Sequence, residues 1–269
     1  TEPAVGSSLD ANKATVQGMW EAYTDDVGSV VNGVPAALSG GIFVASEVPL
    51  VAGTNTLAAV ITTFEEITDT SAVEITATGS RPAVELQANI SSGTAPLEVD
   101  FRADAIGIDG TEYIYDFDGN GTADTVTNTE EYVAHTYYYP GVYHAEVTVT
   151  DGEAISHTAG ALITVEDKAA INTLLVNRWT DLREKLNSLE PGEAAGLFSG
   201  RTTGKYNDIF AKLVDKLPQM AADMGDMELI YVIDGEAKYR LRRDEGGVLT
   251  TYYVYFLKEP NGIWRIYQF

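Results

Sequence analysis

The sequence predicts a multidomain chain, two β-sandwiches followed by an α+β domain, and three observations carry that prediction. Short β-prone runs separated by turn residues recur every 8 to 12 positions through the first half, the rhythm of a sandwich. Net charge then changes abruptly: residues 1–166 hold three bases (Lys13, Arg81, Arg102) against 25 acids, net −22, whereas residues 167–269 hold 14 bases against 15 acids, net −1. Finally, the apolar period lengthens from that of a strand to that of a helix just after Asp167. Together they divide the chain into residues 1–80, 81–166 and 167–269.

In the first segment the strand-like runs are Thr15–Gln17, Ser29–Val31, Gly41–Val44, Thr56–Thr63 and Ala72–Ala77. Asn32-Gly33 between Val31 and Val34 reads as a tight hairpin, because both residues tolerate positive φ. Arg81-Pro82 opens the second segment, since proline breaks the preceding strand and stiffens a short linker. There Ala95–Phe101 alternates apolar and polar positions as a half-buried strand does.

In the third segment Ile171, Leu175, Trp179, Leu182, Leu186 and Leu189 recur at three- and four-residue intervals, one face of a helix. Asp167 caps its start and Pro191-Gly192 stops it. Helices over Glu193–Phe198 and Thr203–Leu217 follow. Strands are expected over Glu228–Ile233, Ala237–Arg242, Leu249–Leu257 and Ile263–Phe269, giving an α+β domain with the sheet wrapped on the long helix.

Composition excludes several functions. The chain has 269 residues, is 45% hydrophobic and contains no cysteine, so disulfides, thiolate metal sites and cysteine nucleophiles are ruled out. No apolar run approaches the roughly 20 residues of a membrane-spanning helix. The acidic front repels nucleic acid and anionic lipid, and attracts divalent cations. The chain starts at Thr-Glu-Pro, so any secretory leader is expected to have been removed or to lie upstream.

The candidate site is the run Asp116 to Asp124 (Asp-Phe-Asp-Gly-Asn-Gly-Thr-Ala-Asp), which alternates oxygen ligands with small residues. As a calcium loop it places Asp116, Asp118 and Asn120 at positions 1, 3 and 5, Gly121 at the sharp turn, the Thr122 carbonyl at position 7 and Asp124 at position 9. Position 12 is Thr127 where an EF-hand needs a bidentate Glu, and no helical pattern flanks the loop, so a true EF-hand is rejected. Glu130 or Glu131 would complete the ligands if the chain folded back. In the competing reading, Asp and Asn bond their own turn backbone while the glycines supply positive φ. Both readings stay open at this level.

Three resemblances add context. Val-Asn-Gly-Val-Pro-Ala (31–36), Gly-Gly-Ile-Phe-Val-Ala (40–45) and the run from Val48 to Leu57 resemble the bacterial immunoglobulin-like modules related to the B domain of glucodextranase, which implies a spacer or accessory domain. Tyr113–Phe117, the acidic loop, His135-Thr136-Tyr137, Tyr139-Pro140-Gly141-Val142-Tyr143 and Ala145–Asp151 resemble, in that order, a PKD (polycystic kidney disease) domain, from about Pro82 to Val165. Tyr115 stands where that family carries Trp, and the resemblance implies a structural role for His135. A His without a second His or Cys nearby seldom binds a transition metal in any case. Tyr252–Phe256 and Gly262–Ile266 make the last segment similar to the cone-shaped domains of nuclear transport factor two and ketosteroid isomerase.

The cone resemblance brings an enzyme into consideration. Tyr206, Tyr231, Tyr239, Tyr252 and Tyr255 would supply hydroxyls, and Asp208 or Asp215 a carboxylate, but the segment has no His and alternating strand aromatics usually pack a sheet. Arg240, Arg242 and Arg243 form a small basic strip, either an anion site or a solvated face. The expectation is a non-catalytic segment of a secreted or cell-surface bacterial protein, a spacer, adhesion or assembly module with calcium as its candidate cofactor. Its expected partners are other protein modules or surface glycans, with no nucleic acid and no membrane insertion. The alternatives are a carbohydrate-binding accessory using Trp20, Tyr23 or Tyr137–Tyr139, and a small-molecule-binding or isomerase-like C-terminal domain with a cavity lined by a carboxylate and a Tyr hydroxyl.

Overall fold

A computed structural model describes residues 2–21 and 26–269. Tyr23, one of the glycan candidates, lies outside the described residues. The chain separates into two compact units, Thr1–Glu166 with Pro260–Gly262, and Asp167–Glu259 with Ile263–Phe269.

The first unit is built of β-sheets. Its N-terminal part pairs strands Ser8–Leu9, Thr68–Ala77, Gly53–Thr63, Val27–Val31 and Val34–Pro35 in one sheet, and Lys13–Met19, Ile42–Pro49 and Ala37–Ser39 in a second. Alternation decides the packing: in Lys13–Met19 Ala14, Val16 and Gly18 point inward while Thr15, Gln17 and Met19 face water. The inward sets of both sheets meet in a core that includes Val16, Val31, Phe43, Val48, Leu57 and Ile75. Asn32 (φ 48°) and Gly33 (φ 84°) form the expected tight hairpin. The Asn32 amide also clips the neighbouring strand, donating to the Thr56 carbonyl (2.9 Å) and accepting from the Ala58 N–H (2.9 Å).

The following part repeats the two-sheet plan with its own core. One sheet orders Val133–Tyr137, Leu97–Ala105 and Val84–Ala88; the other orders Thr125–Thr127, Gly110–Asp116, Gly141–Asp151, Ser156–Glu166 and Ser92–Thr94. Val99, Phe101 and Ala103 face Tyr113, Tyr115, Ala145, Val147 and Val149 across the interior, all fully or almost fully buried. Gly141–Asp151 is the spine of this part, bonded to Gly110–Asp116 on one side and to Ser156–Glu166 on the other.

The second unit is α+β. Helix α1 (Lys168–Asn187) starts where Asp167 Oδ1 accepts from the N–H groups of Ala169 (2.7 Å) and Ala170 (3.0 Å). Ile171, Leu175, Trp179, Leu182 and Leu186 are buried, as their spacing predicts. Leu189 is the exception: it lies beyond the helix end at φ 60°, half exposed. There the Glu190 N–H reaches the Lys185 carbonyl (3.0 Å) and the Leu189 N–H the Leu186 carbonyl (3.2 Å), a Schellman turn made with leucine in the left-handed position.

Helix α2 covers Pro191–Gly196 and α3 covers Thr203–Lys212. The expected continuation to Leu217 is wrong in kind: a single 3₁₀ turn (Val214–Lys216) breaks the run and a separate helix α4 follows over Leu217–Asp223. Pro218 sits in the first turn of α4, where its missing N–H has no intrahelical partner to lose, so the proline starts a helix instead of ending one. Strands Met227–Ile233, Glu236–Asp244, Leu249–Lys258 and Trp264–Gln268 form an antiparallel meander in chain order. Its buried residues Val232, Ala237, Tyr239, Val254 and Phe256 alternate with outward neighbours.

Candidate functional site

The acidic loop joins Gly110–Asp116 to Thr125–Thr127, and aromatic packing fixes its root. Phe117 is buried, 5.2 Å from Phe101, 5.7 Å from Tyr115 and 4.5 Å from the His135 ring between centroids. The Tyr137 hydroxyl, fully inside the sandwich, donates to the Phe117 carbonyl (2.9 Å). His135 lies between Phe117 and Tyr137, and burial holds its pKa below the ordinary value against the pull of Asp124 and Asp118. It packs as a neutral ring, in keeping with the structural role that the resemblance implies.

Asp116 organises the loop from this root. Its Oδ1 accepts from the N–H groups of Gly119 (2.8 Å) and Asn120 (3.2 Å), and its Oδ2 from that of Gly121 (2.6 Å). Desolvation would raise its pKa, but these amides, Gly121 first, outweigh it and leave the carboxyl below its ordinary value. Asp118 accepts from Asn120 N–H (3.2 Å), and the Asn120 side-chain oxygen from Thr122 N–H (2.7 Å). Asp124 closes the loop, its carboxylate taking the Phe117 N–H (2.7 Å) while its own N–H reaches the Tyr115 carbonyl (2.8 Å). Gly119 has φ 70°, and a Cβ there would stand 2.8 Å from the His144 carbonyl oxygen, so no other residue fits.

The structure therefore brings together three of the five predicted ligands. One oxygen each of Asp116, Asp118 and Asp124 lies within 4.8 Å of the others. Two oxygens on opposite sides of one Ca²⁺, each at its usual ~2.4 Å, are about that far apart, so the spacing and the hard oxygen donors fit calcium. Asn120 turns its side-chain oxygen to the backbone instead. Glu130 does not complete the set: its carboxylate accepts from the Tyr113 hydroxyl (3.1 Å), whose pKa is pushed up to about 12 by burial and by that acid. Arg102, a base of the same module, pairs instead with Asp104 (3.2 Å).

The other candidates divide by exposure. Tyr137 is buried and Trp20 packs on the N-terminal core, whereas Tyr138 and Tyr139 are 69% and 77% exposed. In the second unit the hydroxyls are engaged: Tyr206 donates to the Phe269 carbonyl (3.3 Å), Tyr239 to Asn172 Oδ1 (3.1 Å), Tyr252 to Glu245 (2.6 Å), Tyr231 to Glu236, and Tyr255 meets the Lys238 ammonium. Asp208 and Asp215 are exposed on the helices. Arg240 grips Glu228 with two bonds (2.6 and 2.5 Å) and Arg243 bonds Glu245, so two members of the basic strip balance neighbouring acids. A cavity does exist here, with Asp223 and Tyr252 in its lining, formed in part by α4. The sequence reading raised such a cavity as an alternative and named Tyr252, but neither Asp223 nor the methionines of α4.

Residues 79–165 match the family profile of the PKD domain. Several solved structures are similar to about 62% of this chain. One is the fibronectin(III)-like modules of Clostridium thermocellum CbhA, at 15% identity over 62% of this chain and 92% of that one, TM-score 0.26. Another is the Bacteroides ovatus mixed-linkage glucan utilization locus protein SGBP-B in complex with mixed-linkage heptasaccharide, at 11% identity over 62% and 45%, TM-score 0.21. A third is dimeric latent PorU from Porphyromonas gingivalis, at 8% identity over 62% and 19%, TM-score 0.32. No curated protein matches the chain in sequence. Nothing about role is drawn from likenesses this low.

Proposed function

We propose that this chain is a non-catalytic segment of a secreted or cell-surface bacterial protein, a spacer, adhesion or assembly module whose PKD domain is stiffened by calcium. Residues 1–80, 81–166 and 167–269 are its three modules, with the immunoglobulin-like and cone-like resemblances assigned to the first and last. The PKD match over residues 79–165 is the observation that carries this reading, since such domains are typically non-catalytic and extracellular. The site chemistry supports it. The titratable groups around the loop are engaged in holding the fold: Asp116 and Asp124 bind backbone amides, and His135 stacks on Phe117 and meets Tyr137 edge-on. An ion at Asp116, Asp118 and Asp124 would offset the repulsion of three carboxylates brought within 4.8 Å.

Thermal melts in calcium and in chelator at equal ionic strength test the reading. The expected result is a melting temperature higher in calcium, with the difference abolished in Asp118→Ala; equal melts in both buffers would remove the ion from the account. A second reading, glycan binding, is favoured by one observation, the exposed Tyr138-Tyr139 pair at the turn into Gly141–Asp151, whose rings are free to stack on a sugar. Glycan-array binding that is lost in the Tyr138→Ala/Tyr139→Ala double variant would support it, and an array without signal would leave the spacer reading alone.

A further inference from the structure

We propose that the second unit binds a medium- or long-chain carboxylate in the cavity beside α4, a site that goes beyond the spacer reading and does not depend on it. The cavity measures about 660 Å³, within the roughly 300–1,000 Å³ typical of small-molecule sites. Its floor is the inner face of the meander, where Leu241 and Val254 are buried. Met220 and Met224 of α4 form the wall, and Leu213 and Phe269 close the ends. Water finds few hydrogen-bond partners on such walls, so an apolar chain displaces it favourably. The two methionines, unbranched and polarisable, can reshape to a flexible chain.

The rim selects the head group. Arg243 lies there but bonds Glu245, with Asp223 at 4.0 Å, and Asp223 also accepts from Gln219 (2.8 Å). The Tyr252 hydroxyl is likewise given to Glu245. Lys216, at the turn between α3 and α4, is exposed; its backbone N–H bonds the Leu213 carbonyl (2.8 Å), and among the described residues its ammonium makes no ion pair or hydrogen bond. An apolar body topped by one uncompensated ammonium matches an unbranched hydrocarbon chain ending in a single anion. It does not match isomerase chemistry, because the Tyr252 hydroxyl is committed to Glu245 and the Asp223 carboxylate to Gln219 and Arg243.

Titration of the full chain with dodecanoate, below its micelle concentration, tests the proposal. Quenching of tryptophan fluorescence reports it, because Trp179 packs edge-on against Phe269 (5.3 Å), a cavity residue. Expected are saturable one-to-one binding, weakening of about ten-fold in Lys216→Gln, as one lost charge-assisted hydrogen bond implies, and weaker binding of uncharged dodecanol than of dodecanoate. Met220→Trp, which fills the cavity, should abolish binding by both. Absence of saturable binding, equal affinity for acid and alcohol, or full binding in a correctly folded Met220→Trp protein would each overturn the proposal. The Lys216 side chain is exposed and Lys216→Gln keeps the backbone bond to Leu213, so the variant reads binding and not folding. Calcium-dependent melting reports on the PKD loop alone, so failure here leaves that result untouched.

Discussion

At Asp116 one carboxylate serves three backbone amides at once, and replacing it leaves the N–H groups of Gly119, Asn120 and Gly121 to water or to nothing. Asp116→Ala is therefore expected to cost about 1–3 kcal/mol, read from urea midpoints at constant m. Asp118, with a single bond to Asn120 N–H, should cost no more than about 0.5 kcal/mol as Ala in the absence of calcium. The acid also predicts a pH dependence. Its folded pKa lies below the unfolded value near 4, so its contribution is complete above about pH 4 and is lost as pH falls through the folded value. The stability gap between the natural protein and Asp116→Asn should therefore narrow between pH 7 and pH 3. The run of alternating carboxylates was legible in the sequence, as was the chance that they serve a turn. What could not be read was their allocation, with Asp124 on the Phe117 N–H and Asn120 on the Thr122 N–H, because a spacing rule gives positions of ligands but not the directions in which side chains point.

Among the elements, α1 was the clearest, because a cap and a three-four apolar rhythm are both local signals. Leu175 is fully buried in it, and Leu175→Ala should destabilise the second unit by about 2–5 kcal/mol. Leu189 fitted the same rhythm yet lies past the end, since periodicity cannot tell the last helical turn from the residue that terminates it. Its left-handed φ of 60° is costly for a leucine, so Leu189→Gly is expected to raise stability by about 0.5–1 kcal/mol in thermal melts. Helix α4 was not separated from α3, because nothing in the local pattern marks the 3₁₀ turn Val214–Lys216, and Pro218 in a first helical turn is a start. Met220 and Met224 lie beyond the expected end of that helix, so the sequence did not place them in the cavity.

For the whole molecule the dominant quantity is charge. A net −22 over residues 1–166 produces self-repulsion that salt screens, so raising NaCl from about 0.02 M to 0.5 M at pH 7 should raise the melting temperature of the first unit. A fall or no change would mean that the acids are already compensated. Charge asymmetry and a change of hydrophobic period were enough to read the change from β to α+β after residue 166. Neither signal reports on cavities or loop geometry, which arise from contacts between residues distant in sequence. Screening acts on any acidic surface, whereas an ion held by three converging carboxylates stabilises by mass action, about 2.7 kcal/mol at a hundredfold excess over Kd. Calorimetric titration of calcium into the chelator-stripped full chain at fixed ionic strength tests the central claim most directly. The account predicts one saturable site that disappears in Asp118→Ala and in Asp124→Ala; heat indistinguishable from dilution, or binding indifferent to both substitutions, would contradict it.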